Sequence, residues 1–161
     1  MGWKIDGPFD AALEGLFSDD DWDHTLGGMH AVATLDGEVA GHAAVVARRL
    51  LHGNRALRAG YVEGVAVRPD LQRRGLGRWL MESLNPVIDV YDLGALAASD
   101  AAVPLYEALR WSLWRGPLWA LTPAGVVATP DEEGGVYVRP CSVPLDLDAP
   151  LTCDWRDGDV W

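Results

Sequence analysis

The feature that most constrains the fold is a run of strand-like sequence from His30 to Val67, interrupted by two short turns. The turns are Asp36-Gly37 and residues 52–55, and the strand-like stretches cover residues 30–35, 38–51 and 56–67. Asp-Gly between alternating apolar residues is a strong hairpin signal. Strands joined by such short turns have to be antiparallel neighbours. The sequence therefore predicts an antiparallel meander.

Helical and strand patterns alternate through the rest of the chain. Leu76, Leu80 and Leu84 recur at helical spacing, and this helix is predicted to end at Asn85-Pro86. The other signals are a helix at 9–17, a capped turn at 18–22, a strand at 93–97, a helix at 101–109, a strand at 111–121 broken at 116–117, and a strand at 136–138. The order predicts one α/β domain over residues 1–161, in which helices flank a mixed central β-sheet with an antiparallel N-terminal meander.

Composition narrows the classes of partner. The 161 residues are 49% hydrophobic, as in a folded domain, and carry a formal charge of −11. This charge argues against nucleic-acid binding, which rests on neutralising phosphates, and favours a cationic partner, although acidity also serves solubility. No stretch approaches the roughly 20 apolar residues of a membrane span, and no apolar signal core is present. We therefore expect no membrane partner and a cytoplasmic location.

Neither the cysteines nor the histidines have the spacing of a metal site. Cys141 and Cys153 lie far apart in the sequence and are predicted to be buried apolar residues rather than a disulfide. The histidines are predicted to lie at the surface or with satisfied partners in the core; they are His24, His30, His42 and His52. We expect no bound metal.

The segment LQRRGLGRWL, residues 71–80, has the composition of an anion-binding turn. Helix N-termini leave backbone N–H groups without partners and carry a partial positive charge. Gly75 and Gly77 remove side chains that would hold a phosphate away, while Arg73, Arg74 and Arg78 supply charge. The segment lacks the lysine and hydroxyl of a nucleotide P-loop and the dinucleotide-binding glycine pattern. A metal-free pyrophosphate site remains, and an ordinary glycine-rich helix start is the alternative.

Residues 72–77, which follow the strand at 62–67 and the stop Arg68-Pro69, resemble the coenzyme A motif (Q/R-x-x-G-x-G/A) of the Gcn5-related N-acetyltransferases. The resemblance implies the GNAT fold and acetyl-CoA as cosubstrate. It also implies that the amides of the turn hold the pyrophosphate and that the main chain of Val65 and Val67 pairs with the pantetheine arm, at a V-shaped gap beside a strand bulge. The residues it assigns to the cosubstrate are Val65, Val67, Gln72, Arg73, Arg74, Gly75, Leu76, Gly77 and Arg78.

Three longer stretches, residues 21–30, 60–67 and 153–161, resemble the aminoglycoside 2'-N-acetyltransferases. This resemblance implies acetyl transfer to the 2'-amine of a cationic aminoglycoside antibiotic, which confers resistance. Homodimers are common in the superfamily, so a homodimer is an open alternative to a monomer.

The same resemblance implies catalytic roles for two residues. Glu63 is the candidate general base, acting through a water, and Tyr106 is the candidate general acid for the departing sulfur. The amide of Val65 would face the oxyanion. From the residues alone, Glu63 is otherwise a solvated or ion-paired strand glutamate and Tyr106 a core tyrosine.

Antibiotic binding is assigned to several polar groups and to the end of the chain. A polycation requires carboxylates that face one cleft, and the family also uses the α-carboxylate of the last residue. The residues assigned are Asp21, Gly64, Ser99, Glu132, Asp159 and Trp161. Trp155 and Trp161 indicate that this end of the chain is packed down, and that packing is either structural or functional.

Two other functions stay open. One is a GNAT enzyme that acetylates a peptide N-terminus, a lysine or a polyamine. The other is a protein that binds an aminoglycoside or coenzyme A without turnover. The presence of both Glu63 and Tyr106 argues against the second alternative.

Overall fold

The centre of the fold is a long β-hairpin. In the computed structural model, which describes residues 18–161, it consists of β2 (Glu38–His52) and β3 (Arg55–Val67). β1 (Met29–Leu35) pairs antiparallel with the first half of β2. The predicted meander is therefore confirmed, and its Asp-Gly turn has both residues at positive φ. The helix predicted at 9–17 lies outside the described residues.

The remaining elements surround this hairpin. Helices within residues 18–161 are α1 (Asp19–Asp23), α2 (Leu76–Ile88) and α3 (Val103–Ala108), with 3-10 turns at Pro69–Leu71 and Pro130–Glu132. The further strands are β4 (Leu93–Ala97), β5 (Ser112–Leu113), β6 (Leu118–Thr122), β7 (Gly125–Ala128), β8 (Val136–Pro140) and β9 (Leu151–Cys153). α1 begins where Ser18 and Asp21 form a reciprocal capping box, as the Ser-Asp cluster predicts.

The strands form one mixed sheet. Its order is β5-β8-β4-β3-β2-β9-β6-β7, with β1 also paired to β2. β3 runs parallel to β4 and β6 runs parallel to β9, whereas the other paired strands are antiparallel. The mixed α/β fold is therefore confirmed.

β3 and β4 separate after a short paired stretch. They pair in register only at Ala59–Tyr61 with Leu93–Ala95. Further along β3, Gly64 and Val65 lie opposite the single residue Ala43 of β2, which makes a β-bulge. Gly64 has a φ of 59°, a conformation that side chains rarely adopt. The bulge and the separation open a gap beside residues 62–67.

The sheet is covered on both faces. On one face, α2 packs Leu80 and Leu84 into a cluster that includes Tyr106. On the other face, Tyr61 and Trp161 belong to a second cluster built from β2, β3, β6 and β9. The two faces follow from alternation along β3, where Tyr61 and its neighbour Val62 enter different clusters.

Two sequence predictions need correction, and two strands were not predicted. α2 does not end at Asn85-Pro86 but continues to Ile88, because Ile88 is fully buried and the N–H of Asp89 bonds the carbonyl of Asn85 (2.9 Å). Pro86 therefore costs one main-chain bond without ending the helix. α3 begins at Val103 rather than at residue 101. β7 and β9 were not predicted, since strands of four and three residues are too short to show a period of two.

Candidate active site

The loop that enters α2 presents free main-chain amides. Gln72 ties the loop to β3 by donating from Nε2 to the carbonyl of Val67 (3.1 Å). Gly75 caps the helix in the left-handed conformation (φ 86°), and the first helical bond runs from the N–H of Trp79 to its carbonyl (3.0 Å). Within residues 18–161 no acceptor bonds the N–H groups of residues 73–78. The loop is therefore an open helix N-terminus.

Glycine at position 77 brings three elements together. A Cβ there would lie 3.3 Å from Cδ2 of Leu105 and 3.8 Å from Cγ2 of Val67, so α2 starts against both α3 and the end of β3. Arg73 and Arg74 are exposed, and Arg78 pairs with Glu82 at 3.4 Å on the surface. The loop with its predicted residues thus lies directly beside the gap at β3.

The C-terminal tail, defined as residues 154–161, folds back across the sheet. Nε2 of His24, just after α1, donates to the carbonyl of Asp157 (2.7 Å). Gly158 passes so close to α1 that a Cβ on it would meet Asp20 at 3.0 Å. Trp161 is 3% exposed and donates from Nε1 to Oγ1 of Thr129 (2.9 Å). The prediction that Trp161 packs down is confirmed, whereas Trp155 remains half-exposed.

Two arginines attach this tail to the sheet. Arg48 of β2 donates from Nε to Oδ1 of Asp154 (2.8 Å) and from Nη2 to the carbonyl of Val160 (2.6 Å), which joins the two ends of the tail. Arg156, inside the tail, bonds Glu63 through Nη1. The two guanidinium carbons lie 4.6 and 5.5 Å from the ring centroid of Tyr61, within range of cation–π contact.

Glu63 carries a half-buried carboxyl at the bulge. Its side chain is 15% exposed. Burial raises the pKa of Glu63 above the usual glutamate range, while the positive charge of Arg156 opposes that rise. A carboxylate with a raised pKa accepts a proton more readily at neutral pH than an exposed one.

Tyr106 is buried on α3. It belongs to the same packed cluster as Val65 and Val67 and lies 6.4 Å from Trp111 between ring centroids. Burial raises the pKa of Tyr106 to about 12, so the phenol keeps its proton at neutral pH. No residue among 18–161 forms a hydrogen bond with its hydroxyl.

The residues assigned to the antibiotic fall into two groups. Glu132 and Asp159 come together at the tail: burial and then the charge of Asp159 raise the pKa of the half-buried Glu132 carboxyl. Asp21 is near the same place, but its Oδ2 accepts bonds from the main chain and hydroxyl of Ser18 (2.7 and 2.9 Å). Ser99 follows β4, and no hydrogen bond within residues 18–161 joins it to the tail.

Sequence reasoning missed two residues of this region, Arg48 and Arg156, whereas His42 has satisfied partners in the core, as predicted. His42 is buried and donates from Nδ1 to the carbonyl of Gly64 (2.7 Å), and its Nε2 lies 2.9 Å from Nδ1 of His30. Burial lowers the pKa of His42, which agrees with a neutral ring whose proton is on Nδ1. The signal that could have found Arg156 is that it is the only basic residue in an acidic tail.

The described residues also bear on the expectations about metals, cysteines and membrane spans. Within residues 18–161 no three His, Cys, Asp or Glu side chains form a metal-binding group. Cys153 is buried, Cys141 is half-buried, and both are free thiols. None of the helices in this part of the chain has the length and apolarity needed to span a bilayer.

Comparison with known proteins agrees with this geometry. Residues 3–109 match the acetyltransferase (GNAT) family. The aminoglycoside 2'-N-acetyltransferase of Mycolicibacterium fortuitum is 51% identical over 155 residues, which cover 93% of this chain and 80% of that protein.

Solved structures show the same fold. A GNAT family N-acetyltransferase from Escherichia coli, in complex with CoA, superposes with a TM-score of 0.60 at 19% identity, covering 91% of this chain and 82% of that one. The ribosomal-protein-S18-alanine N-acetyltransferase of Escherichia coli gives 0.51 at 23% identity, covering 80% and 79%. The family match, the relative and the split sheet agree, and the chain belongs to the acetyltransferase (GNAT) family.

Proposed function

We propose that this protein transfers the acetyl group of acetyl-CoA to the 2'-amine of an aminoglycoside, which removes a positive charge from the antibiotic and confers resistance. The observation that carries the proposal is a half-buried carboxyl, Glu63, placed between the open gap at β3 and an acidic tail. The 51% identity to a 2'-N-acetyltransferase supports the same reaction.

The loop and the open edge of β3 fit acetyl-CoA. Within residues 18–161 the N–H groups of residues 73–78 have no hydrogen-bond acceptor, and they suit a pyrophosphate. In the same part of the chain β4 does not pair with β3 at Val65 and Val67, and this edge suits an amide-bearing pantetheine arm, with the Val67 carbonyl already accepting from Gln72. When bound, acetyl-CoA supplies the acetyl group as a thioester and is released as the free thiol. The residues that hold it are Val65, Val67, Gln72, Arg73, Arg74, Gly75, Leu76, Gly77 and Arg78.

Glu63 acts as the general base. An aminoglycoside amine is protonated near neutral pH and has to lose a proton before it can attack a carbonyl. One carboxylate oxygen of Glu63 takes that proton through a water and passes it to solvent. We expect the N–H of Val65, at the bulge where residues 64 and 65 together lie opposite Ala43, to donate to the negative charge that develops on the acetyl oxygen.

Tyr106 acts as the general acid. Its hydroxyl keeps its proton at neutral pH, since burial raises its pKa to about 12. The Oη–H gives that proton to the sulfur as the thioester bond breaks, and solvent restores it afterwards. The ammonium nitrogen loses two protons: Glu63 takes the first through a water before attack, and the second passes to solvent as the tetrahedral intermediate collapses to the amide. Tyr106 gives one proton to the sulfur and regains one from solvent, so the overall reaction releases one proton.

Carboxylates at the tail hold the antibiotic. Glu132 and Asp159 repel each other electrostatically in the empty protein, and a polycation between them removes that repulsion. Asp21, at the start of α1, adds a third acid near the tail. The proposed contacts are Asp21, Gly64, Ser99, Glu132, Asp159 and the main-chain oxygen of Trp161.

The test is release of CoA thiol from acetyl-CoA in the presence of two kanamycins, one with a 2'-amine and one with a 2'-hydroxyl. Release with the amine and little release with the hydroxyl supports both the reaction and its position. Release with neither, in protein that binds acetyl-CoA in a calorimeter, contradicts the proposal. Peptide and polyamine acceptors in the same assay then test the other acetyltransferase function.

A protein that only sequesters the drug is distinguished in cells. If Glu63→Gln still protects cells while thiol release is lost, protection comes from binding. If protection is lost together with thiol release, it comes from acetylation.

A further inference from the structure

Arg156 donates to three different acceptors, two in the tail and one on β3, and so connects the tail to that strand. Its Nε donates to the carbonyl of Asp159 (2.7 Å) and its Nη2 to the main-chain oxygen of Trp161 (2.9 Å). Its Nη1 bonds Oε1 of Glu63. One planar guanidinium therefore fixes two main-chain oxygens of the tail and one carboxylate oxygen at the same time.

The contact is half-buried on both sides. The side chains of Arg156 and Glu63 are each 15% exposed, and the guanidinium carbon lies 5.5 Å from the ring centroid of Tyr61. A buried ion pair that loses one partner leaves an uncompensated charge, which is strongly unfavourable. Arg156 is therefore held in place rather than free to swing out of the site.

The two carboxylate oxygens of Glu63 differ in their hydrogen bonds. Oε1 accepts from Arg156, whereas Oε2 has no hydrogen-bond partner among residues 18–161. The arginine thus orients the carboxylate so that one oxygen is engaged and the other is available. The same guanidinium shapes the segment that carries Asp159 and Trp161.

We propose that Arg156 is a positioning residue for acetyl transfer, which presents Oε2 of Glu63 to the water that deprotonates the attacking amine and couples that base to the antibiotic-binding tail. The inference rests on the function proposed above. It assigns to the tail a part in orienting the base as well as in binding the antibiotic.

The charge of Arg156 has a consequence that a purely structural contact lacks. The charged and titratable groups that face Glu63 are Arg156 of the tail, His24 after α1, Arg48 of β2 and Tyr61 of β3. Burial raises the pKa of Glu63, and among the opposing charges that of Arg156 is the largest. Loss of the Arg156 charge raises the pKa of Glu63 further. Because the base works only when it is deprotonated, the acid limb of the kcat/KM profile then moves to higher pH.

Arg48 provides a matched control. It lies against the same Tyr61 ring at 4.6 Å and bonds the same tail at Asp154 and Val160. It forms no hydrogen bond with Glu63 within residues 18–161. Arg48→Gln therefore loosens the tail without releasing the base.

The experiment compares the pH profiles of kcat/KM for wild type, Arg156→Gln and Arg48→Gln, with acetyl-CoA affinity and thermal melting measured alongside. We expect the acid limb of Arg156→Gln to move up by about one to three pH units, the range for loss of an adjacent opposite charge. Arg48→Gln should raise KM for the antibiotic and move the limb by at most about half as much. An unmoved limb in Arg156→Gln, or equal shifts in the two variants, overturns the proposal.

Arg156→Lys keeps the test decisive if the glutamine variant does not fold. Lysine keeps the charge but cannot hold three acceptors in the plane of one guanidinium. We expect kcat to fall at least about fivefold while the acid limb stays near its wild-type position. An unchanged kcat in Arg156→Lys contradicts the positioning role.

A titration of Glu63 that needs no catalytic turnover tests this inference separately from the proposed function. If wild type releases no thiol with any amine, the proposed function fails. The Glu63 carboxyl can still be titrated by carbon NMR, with Glu63→Gln used to identify its signal. A higher pKa in Arg156→Gln than in Arg48→Gln then supports the contact with Arg156, and equal values overturn it.

Discussion

The loop at residues 72–78 and the C-terminal tail face the same gap but are built in opposite ways. The loop is held by a local bond across five residues, from Gln72 to Val67, and offers backbone amides. The tail is held by hydrogen bonds whose partners lie 32 to 133 residues away in sequence, and it offers carboxylates. The loop therefore depends on local backbone geometry, whereas the tail depends on long-range packing. Changes in one region should therefore leave the other working.

The largest expected effect is that of Glu63→Gln. Removal of a general base lowers the rate by about 10² to 10⁴-fold, so kcat should fall by that amount. Glutamine keeps an acceptor oxygen for Arg156, so the tail should stay attached. The measurements are thiol release and calorimetric binding of acetyl-CoA, with the exposed Glu133→Gln as a control. A loss of acetyl-CoA affinity in Glu63→Gln would contradict the expectation that the loop works independently of the tail.

The next effect is on stability and concerns the arginine that joins the two ends of the tail. Arg48→Met removes a guanidinium that is 4% exposed and bonds Asp154 and Val160, and should lower the free energy of unfolding by about 2–3 kcal/mol. Arg115→Met breaks an exposed pair with Asp148 and should cost less than about 1 kcal/mol. Urea unfolding measures both. Equal losses would mean that the tail is held no more firmly than a surface ion pair.

A smaller effect is expected in the loop. Gly75→Val places a branched side chain at a φ of 86°, a strain of about 1–2 kcal/mol, although no atom lies within 4 Å of its Cβ. Shifting the cap should weaken acetyl-CoA roughly tenfold while antibiotic binding is retained, since 1.4 kcal/mol corresponds to a factor of ten. Gly53→Val, in the β2–β3 turn at a φ of 58°, is the matched strain control. If both variants weaken acetyl-CoA equally, the loop has no special role.

The smallest effect concerns the end of the tail. Thr129→Val removes the acceptor of the Trp161 indole N–H and should cost about 1 kcal/mol of stability. It should also raise KM for the antibiotic and leave KM for acetyl-CoA unchanged. A change in KM for acetyl-CoA alone would contradict the assignment of Trp161 to antibiotic binding.

This contrast also explains which parts of the structure the sequence could predict. Asp36-Gly37 and Gly75 specify turns through their own backbone preferences, so the meander and the start of α2 were predicted correctly. The end of α2 was not, because burial of Ile88 outweighs the local signal of Pro86. Local patterns decide a prediction only where packing does not override them.

The candidate site divides in the same way. The loop residues share one motif and lie together in the structure. Arg156 and Arg48 had no motif to mark them, because their partners are main-chain oxygens and a carboxylate brought near only by the fold. The short strand β9 shares this property, since its three residues are strand only because they lie between β2 and β6.

The separation of β3 from β4 has a further consequence for the protein without its cosubstrate. Pairing stops at Tyr61 and Ala95, so an unpaired strand edge lies in the interior of the sheet rather than at its rim. Unpaired edges invite other strands, and proteins commonly protect them with charges, prolines or covering elements. A cosubstrate that lies along Val65 and Val67 would act as that covering element, and its cellular concentration would then help to protect the protein from aggregation.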